Sequence, residues 1–287
     1  MPIYAPSLAP RPAPGQGQPA ALVLLRFDLR RVLRQRLGKF FGFLFAAILL
    51  GLCIQLYLRH LMAGRGALEA LRPLADAYLP QGARFQAGLL NEGMIAILWL
   101  QAAMVGGGLV ARDTLHRIRP LIYAHPVRQR DYLLAKALFA TGLPLAVMLA
   151  YIFLPWGLSL AVAGGAGPVW PTAPLYLVPA ALAIAALMGA VTLGASALAG
   201  SPRSGFGWAL GIMLGSSALS FILAGALGSP GWLALGLGNL TKAWPGLVLG
   251  VAGDGPGPVP VLLGTAFHLA LWLAVARYRT RPDGAVL

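Results

Sequence analysis

The chain has 287 residues, of which 58% are hydrophobic and only 10% are charged. Soluble domains carry about 25% charged residues, so this composition excludes a single water-soluble globular domain. The formal net charge is +14, but the basic residues flank apolar stretches, which is typical of membrane-protein loops and argues against nucleic acid as a partner. Six stretches of about 20 residues are apolar enough to cross a bilayer. The sequence therefore predicts an all-α polytopic membrane protein.

The N-terminal region precedes the first apolar stretch. Residues 1–19 are rich in Pro and Gly and are predicted to form a disordered tail. In residues 20–38, five apolar side chains share one helical stripe: Leu22, Leu25, Leu29, Val32 and Leu33. Three arginines recur at every fourth position: Arg26, Arg30 and Arg34. This pattern predicts an amphipathic interfacial helix, which is either a lipid anchor or a connecting helix that also contacts a cytoplasmic partner.

The rest of the chain, 39–287, is predicted to form one transmembrane domain. Its six predicted spans are residues 40–58, 93–111, 137–158, 175–198, 208–227 and 260–276. A short helix is predicted at 67–78, between spans one and two. In span four, Ala181, Ala185 and Gly189 recur at every fourth position, a pattern that favours close packing of helices in lipid.

The segment between spans five and six, 228–258, is apolar but interrupted by four prolines and nine glycines. Irregular backbone cannot face lipid, because its N–H and C=O groups would lack hydrogen-bond partners. We therefore expect a pair of short re-entrant helices at 232–239 and 242–249 that dip into the outer leaflet. Trp232 and Trp244 would anchor them at headgroup depth, and Lys242 would lie near the outer interface.

The distribution of Lys and Arg predicts the orientation. With the N-terminus inside, seven precede span one, six lie at 112–136, one is Arg203 and three follow span six, which places 17 of the 22 on the cytoplasmic side. Because inner loops carry the excess of positive charge, both termini are predicted to be cytoplasmic.

The sequence holds no phosphate-binding loop of the form G-x-x-x-x-G-K-[ST], so an ATP-driven step would need a separate polypeptide. No cofactor or metal is predicted, since the four histidines are scattered and Cys53 is the only cysteine. Ionisable groups at membrane depth are functional candidates. Glu92 and His268 are therefore candidates for a translocation path, although a carboxylate at the interface and a histidine that serves packing are the simpler explanations.

The segment between spans two and three, 106–138, is short, rich in arginine and interrupted by prolines, and a short helix is predicted at 113–119. It resembles type-2 ABC exporter permeases, in which an acidic residue and Thr-Leu follow span two, a Pro-Val/Leu-Ser/Thr-Arg sequence comes next, and a Lys starts span three. The matching residues here are Asp113, Thr114, Leu115, Pro126, Val127, Arg128, Tyr132 and Lys136. His125 and Gln129 depart from the family's commoner residues.

This resemblance implies a permease subunit of an ATP-driven exporter that is not itself an enzyme. Segment 112–130, including Arg117 and Arg119, would be the coupling helix that fits a groove in a separate ATPase subunit, which binds ATP and Mg. Residues 20–38 would be the connecting helix, and the outer pair of short helices also has a counterpart in the family. The resemblance further implies a second permease copy, identical or a close paralogue, and the cytoplasmic (inner) membrane of a prokaryote.

Three alternative functions stay open, of which the last is an ion-coupled secondary transporter, although the sequence lacks the chain of buried carboxylates usual in that class. The first is a non-transporting mechanical or scaffold subunit of an ABC-like complex. The second is an enzyme, because Ser216 and Ser217 in span five and His268 in span six faintly resemble the dyad of rhomboid intramembrane proteases. Those proteases have Gly after the Ser, whereas this chain has Ala218.

Overall fold

The computed structural model describes residues 19–63, 89–118, 122, 127–162, 172–250 and 255–281. The tail predicted before residue 19 and the short helix predicted at 67–78 lie outside these residues. The described residues form helices and connecting turns, with no β-strand among them. Six helical segments of the described chain are long and apolar enough to cross a membrane. The chain is thus an α-helical, multi-pass membrane protein, as its composition predicts.

The described residues form nine α-helices and one 3₁₀ helix. In chain order they are α1 (Ala20–Arg34), α2 (Arg36–Ala63), α3 (Glu92–Gly106), α4 (Ala111–Leu115), α5 (Gln129–Val162), α6 (Ala173–Leu198), α7 (Pro202–Leu227), a 3₁₀ helix (Pro230–Leu235), α8 (Leu237–Leu249) and α9 (Pro258–Arg279). The six membrane spans are α2, α3 together with α4, α5, α6, α7 and α9. Helices α7 and α8 end at Gly228 and Gly250, which adopt the left-handed conformation that terminates helices.

The corner between α1 and α2 lies four residues earlier than the sequence predicts. Helix α1 ends at Arg34 rather than near residue 38, because Gln35 has an extended backbone and the next helix begins at Arg36. Gly38 permits the tight corner between the two helices, since a Cβ at this position would overlap the carbonyl oxygen of Val32. The end of the predicted connecting segment therefore belongs to the first span.

The centre of the bundle is formed by α3 and α6, most of whose residues are buried, whereas α2 and α7 have few buried residues. Helix α6 contacts α5, α7, α8 and α9. Ala181 and Ala185 of its small-residue stripe are fully buried. A Cβ on Gly189 would lie 3.0 Å from the backbone nitrogen of Thr141 in α5. Small residues thus let these two helices approach closely.

The second span is broken near its C-terminal end, where turns at 107–110 separate α3 from α4. The hydroxyl of Ser196 in α6 accepts hydrogen bonds from the backbone nitrogens of Val110 and Ala111, at 2.8 and 3.1 Å. Gly107 contacts the first turn of α7. A Cβ added to Gly107 would lie 2.7 Å from the carbonyl carbon of Gly205. The break is therefore a defined backbone junction between three spans.

Between α7 and α9 the chain forms two short helices, with bounds that differ from the predicted ones. The separation falls at Gly236 rather than around residues 240–241. The backbone nitrogens of Leu237 and Gly238 donate to Ser216 and Ser217 of α7, at 3.2 and 3.1 Å. These serine hydroxyls satisfy the first turn of α8 and hold it against α7.

Candidate functional site

Three ionisable side chains meet inside the protein at the end of the bundle where α1, α4 and the start of α5 come together. Lys136 Nζ lies 2.9 Å from Asp28 Oδ2 and 2.9 Å from Asp113 Oδ2. Asp28, Asp113 and Lys136 are only 1%, 5% and 3% exposed. Charges this buried are stable only when they are paired and hydrogen-bonded. The arrangement therefore fixes α1 and α4 to the same lysine of α5.

Tyr132 completes this buried network. Its hydroxyl donates to Asp113 Oδ2 at 2.9 Å, and its ring centroid lies 5.4 Å from Lys136 Nζ. Tyr132 and Lys136 are four residues apart in α5, so they project from the same face of that helix. One turn of α5 thus supplies both a cation and a hydroxyl to the carboxylate of Asp113.

Asp28 is held less completely than Asp113. Its Oδ1 atom is buried without a hydrogen-bond partner among the described residues, although Arg31 Nη2 lies 3.7 Å away. Asp28 thus depends chiefly on Lys136 for its compensating charge. Loss of that lysine would leave the carboxylate buried with Arg31 and Arg112 as the remaining cations, neither of them hydrogen-bonded to its Oδ1.

The start of α5 is also tied to the end of the last span. Gln129 Nε2 donates to the carbonyl oxygen of Arg277 at 2.7 Å and to Thr280 Oγ1 at 3.2 Å. Gln129 thus links the same end of α5 to α9, three residues before Tyr132. Together with the buried network, this contact joins four elements at one end of the bundle.

The residues expected to form the coupling segment separate into a buried and an exposed group. Asp113 is buried in the network, whereas Thr114, Leu115, Arg117 and Arg128 are exposed. Arg117 has a φ of +52°, a conformation that costs a non-glycine residue about 1–2 kcal/mol and marks a sharp turn after α4. Arg119 and Pro126 lie outside the described residues. Asp113 thus holds the start of the segment against the bundle, and the other four described residues are accessible at the surface.

The predicted connecting-helix arginines are all on the exposed side of α1. Arg26, Arg30 and Arg34 are exposed, while Ala21, Asp28 and Val32 face the rest of the protein. Of the predicted apolar stripe, Leu22, Leu29 and Leu33 are also exposed. The chain itself therefore covers only a narrow face of α1.

The two candidates for the translocation path lie in the half of the bundle that contains the short helices. Glu92 begins α3 and its Oε2 lies 3.0 Å from Lys242 Nζ of α8. His268 is buried in α9, and its Nε2 lies 2.9 Å from the carbonyl oxygen of Leu235. Both residues thus contact the short helices, one through a charge and the other through the backbone.

The serines and the histidine of the protease-like pattern have structural contacts of their own. Ser216 and Ser217 each donate to the carbonyl oxygen of Met213, at 3.1 and 2.9 Å, in addition to accepting from α8. His268 Nδ1 accepts from Trp272 Nε1 at 3.4 Å, so in the neutral ring Nε2 carries the proton toward Leu235. The three side chains are thus engaged in fixing the short helices to α7 and α9.

Sequence reasoning missed Asp28 and did not connect Asp113 with Lys136. A usable signal existed for Asp28, because it is the only acidic residue of 20–38 and lies between Leu25 and Val32 on the apolar stripe. A carboxylate at such a position requires a buried cation. The identity of that cation could not be read, since Lys136 lies 108 positions further along the chain.

Comparisons with known proteins add no identification. No protein family matches the chain, and no curated protein is significantly similar to it.

Proposed function

We propose that this chain is the membrane-spanning permease subunit of an ATP-driven ABC exporter of the type-2 class. The observation that carries the proposal is the buried network of Asp28, Asp113 and Lys136, which joins the predicted connecting helix, the predicted coupling segment and span three. A permease driven by a separate ATPase needs its docking elements fixed to its spans, so that closure of the ATPase moves them as rigid bodies. The network supplies such a connection.

The exposed side chains beside the network support docking of another protein. Leu115 and Ile118 are exposed apolar residues next to Arg117. Apolar side chains bordered by arginines are typical of protein interfaces. We infer that this surface and the arginines of α1 contact the ATPase, which carries ATP and Mg. A scaffold subunit would keep the same contact but would export nothing.

Lipid contacts complete the proposed topology. The exposed leucines and arginines of α1 support an amphipathic helix at the cytoplasmic surface of the inner membrane, with both termini inside as the charge distribution predicts. The 3₁₀ helix and α8 would re-enter the outer leaflet. Their hydrogen bonds to α7 and α9 satisfy backbone groups that lipid could not.

Coupling to an ATPase is tested by reversing two exposed charges. The double substitution Arg117→Glu/Arg128→Glu is expected to weaken the complex at least tenfold. Each substitution replaces a positive charge in the proposed contact by a negative one, so attraction to the ATPase becomes repulsion. The measurement is co-purification of the ATPase with the tagged, membrane-inserted chain. Arg203→Glu, which removes an exposed arginine outside the coupling segment, is the control and should leave the complex intact.

Two outcomes would contradict this proposal. One is a wild-type chain with which no ATPase co-purifies. The other is a double variant that binds the ATPase and supports transport as well as the wild type. Binding of the ATPase without any export by the wild-type chain would instead favour the scaffold interpretation.

A second permease copy is supported by a row of glycines on α7. Gly207, Gly211 and Gly215 recur at every fourth position, all are exposed, and a Cβ at each would meet nothing within 4 Å. Such rows let two helix backbones pack closely in a membrane. Because six spans form only half of a path in the proposed class, we infer that this row packs against another copy.

Gly211→Leu should therefore weaken dimerisation roughly tenfold or more, because an inserted side chain keeps the backbones apart. The measurement is the dimer fraction as a function of protein-to-lipid ratio, by single-molecule photobleaching in vesicles. Gly157→Leu in α5, where a Cβ also meets nothing within 4 Å, is the matched control. Equal dimer fractions for the two variants would show that this face of α7 is not the interface.

A further inference from the structure

A group of arginines lies around the joint between α5 and α9. The span in α5 begins at Gln129 and the span in α9 ends at Arg279. The two ends meet where Gln129 Nε2 donates to the carbonyl oxygen of Arg277. Asp131 and Asp283 are the only acidic residues within ten positions of the arginines around this contact, so positive charge predominates. These arginines form the arginine cluster: Arg130, Arg277, Arg279 and Arg281.

The arginine cluster adjoins exposed apolar side chains of both spans. Leu134 and Leu138 follow Arg130 at every fourth position of α5, and both are exposed. Leu273, which is also exposed, precedes Arg277 by four positions in α9. Residues four apart share one face of a helix. On each helix, therefore, an arginine at the end of the span is continued into the span by leucines on the same exposed face.

The position of the arginines along the spans sets their depth in a membrane. A basic residue in the first or last turn of a membrane-spanning helix lies at the level of the lipid headgroups. Tyr278, an aromatic residue of the kind that is enriched at this level, is exposed in the same turn. The guanidinium carbon of Arg281 lies 5.2 Å from the centre of its ring, which holds this charge beside the end of the span.

The joint itself is held by groups other than the arginine side chains. Gln129 donates to the backbone carbonyl of Arg277 and to Thr280 Oγ1. Thr280 is fully buried, and its hydroxyl donates to the carbonyl oxygen of Ala276 at 2.8 Å. Tyr132, in the next turn of α5, is fully buried in the ion network. The arginine side chains can therefore be replaced without removing the contacts that join the two spans.

We propose that the arginine cluster binds the headgroup of an anionic phospholipid, whose acyl chains lie along the exposed leucines of α5 and α9. Guanidinium groups donate charge-assisted hydrogen bonds to phosphate oxygens and match their geometry. An acidic protein would account for the charges but not for the leucines that continue them into the spans, whereas an anionic lipid accounts for both. The inference requires insertion in a membrane but no ATPase, so it and the proposed function can fail independently.

The test titrates two lipids into the full-length protein in a neutral maltoside detergent and measures bound lipid by native mass spectrometry. Dioleoyl phosphatidylglycerol and dioleoyl phosphatidylcholine share their chains and phosphate, but only the first has a net negative charge. The wild type should bind phosphatidylglycerol roughly tenfold more tightly. This preference should shrink as the salt concentration rises, because salt screens exposed charges. Equal affinities for the two lipids would overturn the proposal.

Single substitutions on each span locate the site. Arg130→Gln and Arg277→Gln should each weaken phosphatidylglycerol binding about fivefold, because each removes one charge that attracts the headgroup. Arg277→Lys keeps the charge and should retain most of the affinity. Arg203→Gln is the matched control, since Arg203 is exposed in the first turn of α7 and outside the arginine cluster, and it should change nothing.

Thermal unfolding of these variants should match that of the wild type, because the contacts of Gln129 are retained. Arg281→Gln should weaken the lipid by a similar factor and keeps the test valid if Arg277→Gln does not fold. An equal loss of affinity in Arg203→Gln, or a loss in only one of Arg130→Gln and Arg277→Gln, would overturn a site shared by the two spans. Unchanged lipid binding with weaker co-purification of an ATPase would instead assign the arginine cluster to that protein.

Discussion

Replacement of Lys136 by methionine is expected to lower the free energy of unfolding by about 3–5 kcal/mol, because breaking a buried ion pair leaves an uncompensated buried charge. Here one lysine serves two carboxylates, Asp28 and Asp113, each 2.9 Å from its Nζ. Both would lose their closest cation at once. The measurement is reversible unfolding of the lipid- or detergent-embedded protein by sodium dodecyl sulfate, followed by circular dichroism.

Lys39→Met is the matched control for this experiment. Lys39 is exposed near the start of α2, so its replacement should change the free energy of unfolding by no more than about 0.5 kcal/mol. Similar losses for the two lysine variants would show that the buried network does not stabilise the protein. A triple variant, Asp28→Asn/Asp113→Asn/Lys136→Met, removes all three charges and should regain most of the stability, because neutral groups of similar shape carry no buried charge.

The triple variant also addresses function. It retains the exposed arginines of the coupling segment, so binding of an ATPase should persist. The charged connection from α1 and α4 to α5 would be gone, and we expect transport per ATP hydrolysed to fall. Unchanged transport in a stable triple variant would mean that packing alone, without the ion network, transmits the motion.

Gly205→Ala is expected to lower the free energy of unfolding by about 1–3 kcal/mol, because a larger residue at a tightly packed position forces backbone shifts. A Cβ at Gly205 would overlap the carbonyl oxygen of Gly107, and a Cβ at Gly107 would lie 2.7 Å from the carbonyl carbon of Gly205. Backbone atoms cannot move aside as a flexible side chain can, so the first turn of α7 must separate from the junction between α3 and α4. Unfolding by sodium dodecyl sulfate measures the loss.

Gly225→Ala in the same helix is the comparison, because its change in the free energy of unfolding should have the opposite sign. A Cβ there would meet nothing within 4 Å, and alanine is favoured over glycine in a helix by up to about 1 kcal/mol. The two substitutions therefore add the same atom but should have opposite effects. Equal or favourable effects at both positions would mean that α7 does not contact the junction closely.

The membrane fold could be predicted from the sequence because each span carries its own signal. A run of about 20 apolar residues satisfies its backbone hydrogen bonds internally and needs no distant partner to be a stable helix in lipid. The same reasoning predicted two short helices between spans five and six, and the structure has them, although the separation falls at Gly236 instead of near residue 240. Boundaries were less predictable, since the turn at Gln35 depends on the close approach of Gly38 to Val32.

Only some residues of the candidate site could be predicted from the sequence. The positions of Asp113, Arg128 and Lys136 were noticed through their resemblance to a family motif, and Arg117 through its charge. What the sequence by itself determined was which segments cross the membrane and where the positive charges accumulate, because hydrophobicity and charge act locally. Only the tertiary structure decided that Asp28, Asp113 and Lys136 share one buried site, because the pairing of buried charges depends on which helices pack together and not on their separation along the chain.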